Sequence, residues 1–331
     1  MSSLPRVATA RARANIALAK YWGKVDARFN LPAVPSISMT LDPLVTETQV
    51  EFLPDLAQDE FSLNGEPALI AELGRTTQLL DRVREEAGLS ARARVASRNH
   101  FPTASGLASS ASGFAALAAA ARAAAGLPFD AAKVSAMARR SSASAARSVF
   151  GGFVELPAGT PGDDTLAARP LFAADHMPLA IVVAVTAEGR KAVGSTDGMT
   201  HTRITSPYYE AWVQAAPALA EEVRLGLSTR DLSRIGQAME QSTLAMHACG
   251  FAAAPGLVYW QPPTLAALLR VRELRDEGIE VYATMDAGPH LKALCHAADA
   301  VAVSQALSKV PGVLRTLLAG AGPGVEISMP G

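Results

Sequence analysis

PTASGLASSASGFAALAAAARAAAG, residues 102–126, decides how the rest of the chain is read. It opens as a loop of small and hydroxyl residues and continues as an alanine-rich helix. Gly106, Ser109, Ser110 and Ser112 mark the junction. A helix starting there leaves its first backbone N–H groups unpaired and points the positive end of its dipole outward, which together attract an anion. Small side chains let a phosphate approach the backbone, and the hydroxyls add donors or a metal contact. The plainer reading is a small-residue helix packed tightly in a core. The glycine and serines just ahead of the alanines tip the balance towards phosphate.

Working outward, ARARVASRNHF (91–101) alternates apolar and polar residues and reads as a strand, so the local order is strand, small-residue loop, helix. Upstream, Val7 to Ala17 reads as a strand, and SISMTL, LVTETQVEFL and EFSLNG as three more, with Asn64-Gly65 as a hairpin turn. Leu69 to Ala87 has helical spacing and ends near Gly88. Downstream, Asp130 is a candidate N-cap for AAKVSAMARR. Residues 157–170, rich in Pro, Gly and Asp, read as an exposed loop. LAIVVAV (179–185) is a buried strand that opens a second lobe. GSTDGMTHT (194–202) reads as polar and flexible. Ser206-Pro207 is expected to open a long helix, Asp231 a second, and Thr264 to Glu277 to form a third. IEVYATM (279–285) is a strand that delivers Asp286 to its tip.

Composition narrows the function. The chain has 331 residues, 49% of them hydrophobic, enough for one large or two ordinary domains. A net charge of −1 gives no broad attraction to nucleic acid or an anionic membrane. Cys249 and Cys295 form neither a disulfide framework nor a zinc pattern and read as buried thiols. No signal peptide or membrane-spanning run is evident, so a cytoplasmic protein is expected. The six histidines lack a metal-ligand spacing.

The chemistry-bearing residues are a phosphate-type loop, scattered cations (Lys20, Lys24, Arg75, Arg147) and the strand-end acid Asp286. KYWGK (20–24) combines ammonium charges with aromatic walls, suited to a phosphorylated ligand or to a snorkelling strand end. Arg147, in a small-residue segment, can grip a carboxylate or phosphate with its planar fork, or stabilise a helix end. Together these residues point to phosphoryl transfer, which needs charge neutralisation, alignment and a base. Neither a Walker-type P-loop nor a dinucleotide fingerprint is present.

PTASGLASSAS resembles the P-x-x-x-G-L-x-S-S-x signature of the GHMP small-molecule kinase superfamily. Four further segments resemble its diphosphomevalonate decarboxylase family: NIALAKYWGK (15–24), SSASAARSVFGGF (141–153), GSTDGM (194–199) and MDAGPH (285–290). The resemblance covers nearly the whole chain, and KYWGK with DAGP is its most specific part. It implies an α+β fold of two lobes: residues 1–175 with a left-handed βαβ element and ATP site, and a ferredoxin-like lobe, 176–331, carrying the catalytic aspartate. It implies ATP and Mg²⁺, conversion of mevalonate 5-diphosphate to isopentenyl diphosphate, and a homodimer. By the same resemblance Asp286, Arg147 and Lys20 are catalytic. Tyr21, Trp22, Gly23, Lys24, Arg75, Ser142, Ser144 and Thr196 bind substrate. Asn99, Pro102, Ser105, Gly106, Leu107, Ser109 and Ser110 bind ATP, with Ser110 on the metal. The chain departs from the family pattern at His290, where Asn is usual, and at Ala143 and Ala146 in place of Gly and Cys. His290 brings a group that titrates near neutrality beside Asp286. Rival readings are a mevalonate 5-phosphate decarboxylase, a mevalonate 3-kinase, and a silent ligand-binding member.

Overall fold

The computed structural model describes residues 7–101, 109–189 and 192–329. In chain order β1 (Val7–Ala19) is followed by a small ribbon of β2 (Lys24–Asp26) and β3 (Leu31–Pro32), then by β4 (Ser36–Leu53), antiparallel to β1. The two stretches expected as separate strands, SISMTL and LVTETQVEFL, are thus one strand running through Asp42 and Pro43. β5 (Glu60–Leu63) and β6 (Glu66–Pro67) flank the Asn64-Gly65 turn, where both residues have positive φ. α1 (Ile70–Ala87) ends on Gly88, in the left-handed conformation, whose N–H bonds the Arg84 carbonyl. β7 (Arg92–Asn99) pairs antiparallel with β4 and parallel with β5.

α2 (Ser109–Ala124) lies across this sheet. Ala115 to Ala121 pack on Ala8, Ala10 and Ala12 of β1, all fully or almost fully buried. Methyl against methyl lets helix and strand approach closely, so the run of alanines serves packing whatever its N-terminus does. Asp130 caps α3 (Ala131–Ser141) by accepting from the N–H groups of Ala132 and Lys133, as expected. A 3₁₀ turn over Ala143–Val149 leads into β8 (Phe153–Leu156), which pairs with β9 (Arg169–Phe172).

The second half contributes β10 (Leu179–Val185), α4 (Ser195–Thr205), α5 (Tyr209–Thr229), α6 (Leu232–Phe251), α7 (Pro262–Asp276), β11 (Val281–Met285), β12 (Leu291–His296), α8 (Ala300–Ser308), β13 (Arg315–Ala321) and β14 (Glu326–Ser328). Among the described residues the strands form a mixed sheet in the order β11-β12-β10-β13-β4-β7-β5-β6, with β1, β14, β8 and β9 joined beside β4. α5 and α6 pack on one face of its second half and α7 and α8 on the other. This is the two-lobed α+β class expected. No helix among the described residues is long and apolar enough to cross a membrane.

Two local readings are corrected. Residues 194–202 are not a flexible stretch: Ser195–Thr205 is helical, held by contacts of Gly198, Met199 and Thr202 with the Trp22 cluster rather than by apolar periodicity. Ser206 does not open the long helix. It ends α4, its hydroxyl accepts from the Tyr208 N–H, and α5 begins at Tyr209.

Candidate active site

Two polar regions gather the residues singled out above. The first is a cavity of about 100 Å³ at the start of α2. Ser109 and Ser110 border it, with Asn99 and Ser97 from β7, Thr46 and Thr48 from β4, and Arg75 and Thr76 from α1. Phe61, Val95 and Phe114 supply apolar walls. Several of its hydroxyls are cross-bonded: Thr46 Oγ1 donates to Asn99 Oδ1 at 2.7 Å and lies 2.7 Å from Ser112 Oγ, and the Thr48 and Ser97 hydroxyls lie 2.8 Å apart. The Thr76 hydroxyl is buried with no partner among the described residues. The Arg75 guanidinium sits 5.0 Å over the Phe114 ring. Pro102, Ser105, Gly106 and Leu107, also expected here, lie outside the described residues.

The second region surrounds Asp286, immediately past β11. The turn carrying it is pinned from three elements. The Thr243 hydroxyl on α6 donates to the Met285 carbonyl at 2.7 Å and accepts the Met285 N–H at 3.0 Å. Hydroxyls of Thr186 and Thr264 both donate to the Pro289 carbonyl. His290 is fully buried, and its Nδ1 accepts the Thr186 N–H at 3.3 Å, so the ring braces the turn.

Asp286 receives the Lys20 ammonium on Oδ1 at 2.7 Å and the Lys292 ammonium on Oδ2 at 3.1 Å. Burial pushes its carboxyl pKa upward, but the charges of Lys20 and Lys292 outweigh that and hold it well below the usual carboxylate range. Burial lowers Lys20 to about 8 against the pull of Asp286, leaving it charged at neutral pH. Arg147 is buried nearby and is lowered by burial to about 10, while Asp286 draws it back up. Its fork donates to Ser38 Oγ at 3.0 Å, Ser36 Oγ at 2.5 Å and Asn15 Oδ1 at 3.3 Å, neutral partners that aim the group without cancelling its charge. Asn15 in turn donates to the Ser144 carbonyl and Ser148 Oγ, and Ser142 and Ser144 hydroxyls lie 3.1 Å apart.

KYWGK links the regions. The Tyr21 phenol is buried without a hydrogen-bond partner among the described residues; burial raises its pKa and the Arg147 charge opposes that rise. Trp22 is core: its ring is buried and its N–H donates to Thr202 Oγ1 at 2.8 Å. Gly23 has φ +106°, and a Cβ there would meet the Tyr209 hydroxyl at 2.1 Å, so only glycine fits. Lys24 donates to Thr196 Oγ1 at 3.4 Å. Its pKa is lowered by burial and by the charge of Arg75.

Several side chains around Asp286 and Arg147 lie outside every motif noted in the sequence. Lys292 is fully buried in the apolar strand LKALCH, where a single lysine was the available signal. Ser36, Ser38 and Thr243 carry no local signature. Among the described residues no three His, Cys, Asp or Glu side chains cluster to hold a metal. The neutral hydroxyls at the α2 N-terminus fit a phosphate-borne Mg²⁺ that keeps much of its water.

Comparison with known proteins identifies the family. Residues 12–167 match the diphosphomevalonate decarboxylase-like N-terminal domain, and residues 181–315 match the mevalonate 5-diphosphate decarboxylase C-terminal domain. Diphosphomevalonate decarboxylase of Eremothecium gossypii is 35% identical over 305 residues, covering 86% of this chain and 76% of the relative. Phosphomevalonate decarboxylase of Haloferax volcanii is 36% identical over 282 residues, covering 85% and 86%. A solved structure described as MDDEF in complex with MVAPP, AMPPCP and magnesium superposes with a TM-score of 0.91 at 39% identity, covering 98% of this chain and 99% of that one. With both halves matched in order, and a relative at 35% identity over most of the chain, this chain belongs to the diphosphomevalonate decarboxylase family.

Proposed function

We propose that this protein decarboxylates (R)-mevalonate 5-diphosphate in an ATP-dependent reaction, giving isopentenyl diphosphate, ADP, phosphate and CO₂. The observation that carries the reading is Asp286, held anionic between two ammonium groups within the electrostatic reach of the Arg147 guanidinium. Relatives named for this activity, and a solved relative holding MVAPP, AMPPCP and magnesium, support it.

ATP with Mg²⁺ supplies the phosphoryl group that turns the substrate's tertiary hydroxyl into a leaving group. Ser109, Ser110 and the first N–H groups of α2 hold the nucleotide phosphates, with Ser110 also on the metal. Asn99 and the apolar walls of the cavity flank the nucleotide. Asp286 accepts the hydrogen of the 3-hydroxyl. Its low basicity suits it to orient that hydrogen and to release the proton to solvent as the oxygen is phosphorylated, rather than to retain it. Lys20 neutralises the carboxylate and helps balance charge as the bond to oxygen breaks. Arg147 holds the substrate carboxylate so that its electrons align with the breaking C–O bond, and their flow releases CO₂ as positive charge builds at the tertiary carbon. Tyr21, Ser142 and Ser144 border this carboxylate. Lys24, Thr196 and Arg75 receive the distal diphosphate, with Gly23 and Trp22 shaping the turn that presents Lys24.

The Haloferax relative favours a second reading, in which mevalonate 5-phosphate is the substrate. Three cationic or hydroxyl groups at the distal end favour the diphosphate. Purified protein supplied with ATP and mevalonate 5-diphosphate, mevalonate 5-phosphate or free mevalonate decides: CO₂ release is expected to be fastest from the diphosphate. Faster release from the monophosphate would overturn the substrate assignment, and ADP without CO₂ from all three would make this a kinase.

We further place the lobe division at residues 175/176, between β9 and β10, and read the enzyme as a cytoplasmic homodimer. Limited proteolysis, cell fractionation and light scattering test these. Cleavage confined elsewhere, a membrane-bound fraction or a monomer mass would remove each in turn.

A further inference from the structure

β12 lies between β11 and β10, and its residues Leu291, Ala293 and Cys295 pack against α7 and α8. Lys292 projects from the opposite face, shared with Leu294, and is fully buried. In the antiparallel register Lys292 stands directly across from Thr284. Asp286 follows Thr284 by two positions, at the first residue of the turn that joins β11 to β12. The 3.1 Å contact between Lys292 Nζ and Asp286 Oδ2 is therefore set within one hairpin. The contact of Lys20 with Oδ1 spans 266 positions of sequence and joins two parts of the molecule. An ammonium is unfavourable to bury, and an apolar residue would serve the packing of this strand as well or better. The charge is kept at a position where it touches the reacting carboxylate.

We propose that Lys292 is a positioning residue for the reaction: through Oδ2 it fixes the plane of the Asp286 carboxylate and keeps it anionic, leaving a lone pair of Oδ1 for the substrate hydroxyl. The inference rests on the reading of Asp286 as the group that accepts the hydroxyl hydrogen. The other groups facing Asp286 are Lys20 beyond β1, Arg147 on the 3₁₀ turn and His247 on α6. Burial, helped by the Lys20 charge, lowers His247 to about 3, so it stays neutral over the working pH range. Lys20 and Arg147 remain when Lys292 is removed, so Asp286 is still paired, but one oxygen is free to rotate away. Loss of a neighbouring cation also makes the carboxylate easier to protonate, which moves the acid limb of turnover to higher pH.

The test compares Lys292→Met, Lys292→Gln and Lys292→Arg in the full chain, using mevalonate 5-diphosphate and ATP. For Met and Gln, kcat is expected to fall roughly 10- to 100-fold with KM changed far less. Their acid limb should rise by about one pH unit or more. Arg keeps the charge and should restore most of kcat and the parent acid limb. If Met does not fold, Gln keeps a polar contact to Oδ2 without the charge and carries the test. An unmoved acid limb in the neutral variants overturns the proposal, as does an equal loss in Arg, Met and Gln that tracks a lowered Tm. Asp286→Asn separates this outcome from failure of the underlying reading. Parent-like turnover in Asp286→Asn removes Asp286 from the mechanism altogether. A dead Asp286→Asn beside an unmoved limb in the lysine variants removes the role of Lys292 alone.

Discussion

The cavity at the start of α2 and the pocket at the β11 turn are both polar, yet they are built from opposite materials. The first is mainly hydroxyls, an amide, a helix end and apolar walls, with Arg75 and Glu72 of α1 at its border. The second is ions: a carboxylate between two lysines, with a buried arginine whose hydrogen-bond partners among the described residues are neutral. A site for a highly charged ligand needs dipoles that accept charge on arrival, and neutral donors do this without strong self-repulsion when empty. A site where charge shifts during reaction needs fixed charges already in place. The ionic pocket costs stability, since replacing a buried ion pair by apolar groups is often neutral or stabilising by ~1–4 kcal/mol. An ionic cluster of this kind beside the DAGP turn supports the catalytic role proposed for Asp286.

The contrast predicts a ranking of effects. Asp286→Asn keeps size and shape but removes the basicity of the ionic pocket, so turnover should fall by roughly 10²–10⁴-fold while ATP and substrate affinities change far less. Binding titrations beside turnover check this, and a mere drop in Tm with modest activity loss would reduce Asp286 to a turn cap. Arg147→Gln leaves Ser36, Ser38 and Asn15 in place but loses the fork, and CO₂ release should drop by roughly 10²-fold. If ADP formation falls less than CO₂ release, the arginine belongs to the decarboxylation half; an equal fall would blur the division. Ser110→Ala tests the neutral region: turnover should fall by roughly 10-fold or more with substrate KM nearly unchanged. Unchanged turnover would remove Ser110 from the phosphate and metal site. The smallest effect is expected where the regions meet. Lys24→Met or Arg75→Met should raise KM for the diphosphate by a few-fold to about tenfold, the scale of one lost charge-assisted contact. The preference over the monophosphate should shrink in parallel, and a parent-like preference in both variants would place the distal phosphate elsewhere.

Elements around the first cavity were legible where their signals are local. The alanine run of α2, the Gly88 stop of α1 and the Asp130 cap of α3 each lie within a few residues of what they specify. Asp286 was also legible, as an acid at the tip of an apolar strand. Its surroundings were not. Lys292 pairs with it through strand register, and Ser36 and Ser38 meet Arg147 more than a hundred positions away. Such contacts leave no periodicity in the sequence. α4 was missed for a related reason: GSTDGMTHT lacks an apolar stripe, and the helix is held through Trp22, Thr202 and Gly198 packed against a distant turn. The burial of Trp22 among Met199, Trp212 and Tyr259 was not legible either.

The central claim is that the ionic pocket couples phosphoryl transfer to loss of CO₂. Counting ADP and CO₂ in the same reaction, with mevalonate 5-diphosphate, ATP and Mg²⁺, tests it most directly. The account predicts equal amounts of the two from the parent protein and neither from Asp286→Asn at comparable times. ADP accumulating without CO₂ in the parent, or CO₂ released at a near-parent rate by folded Asp286→Asn, would contradict it.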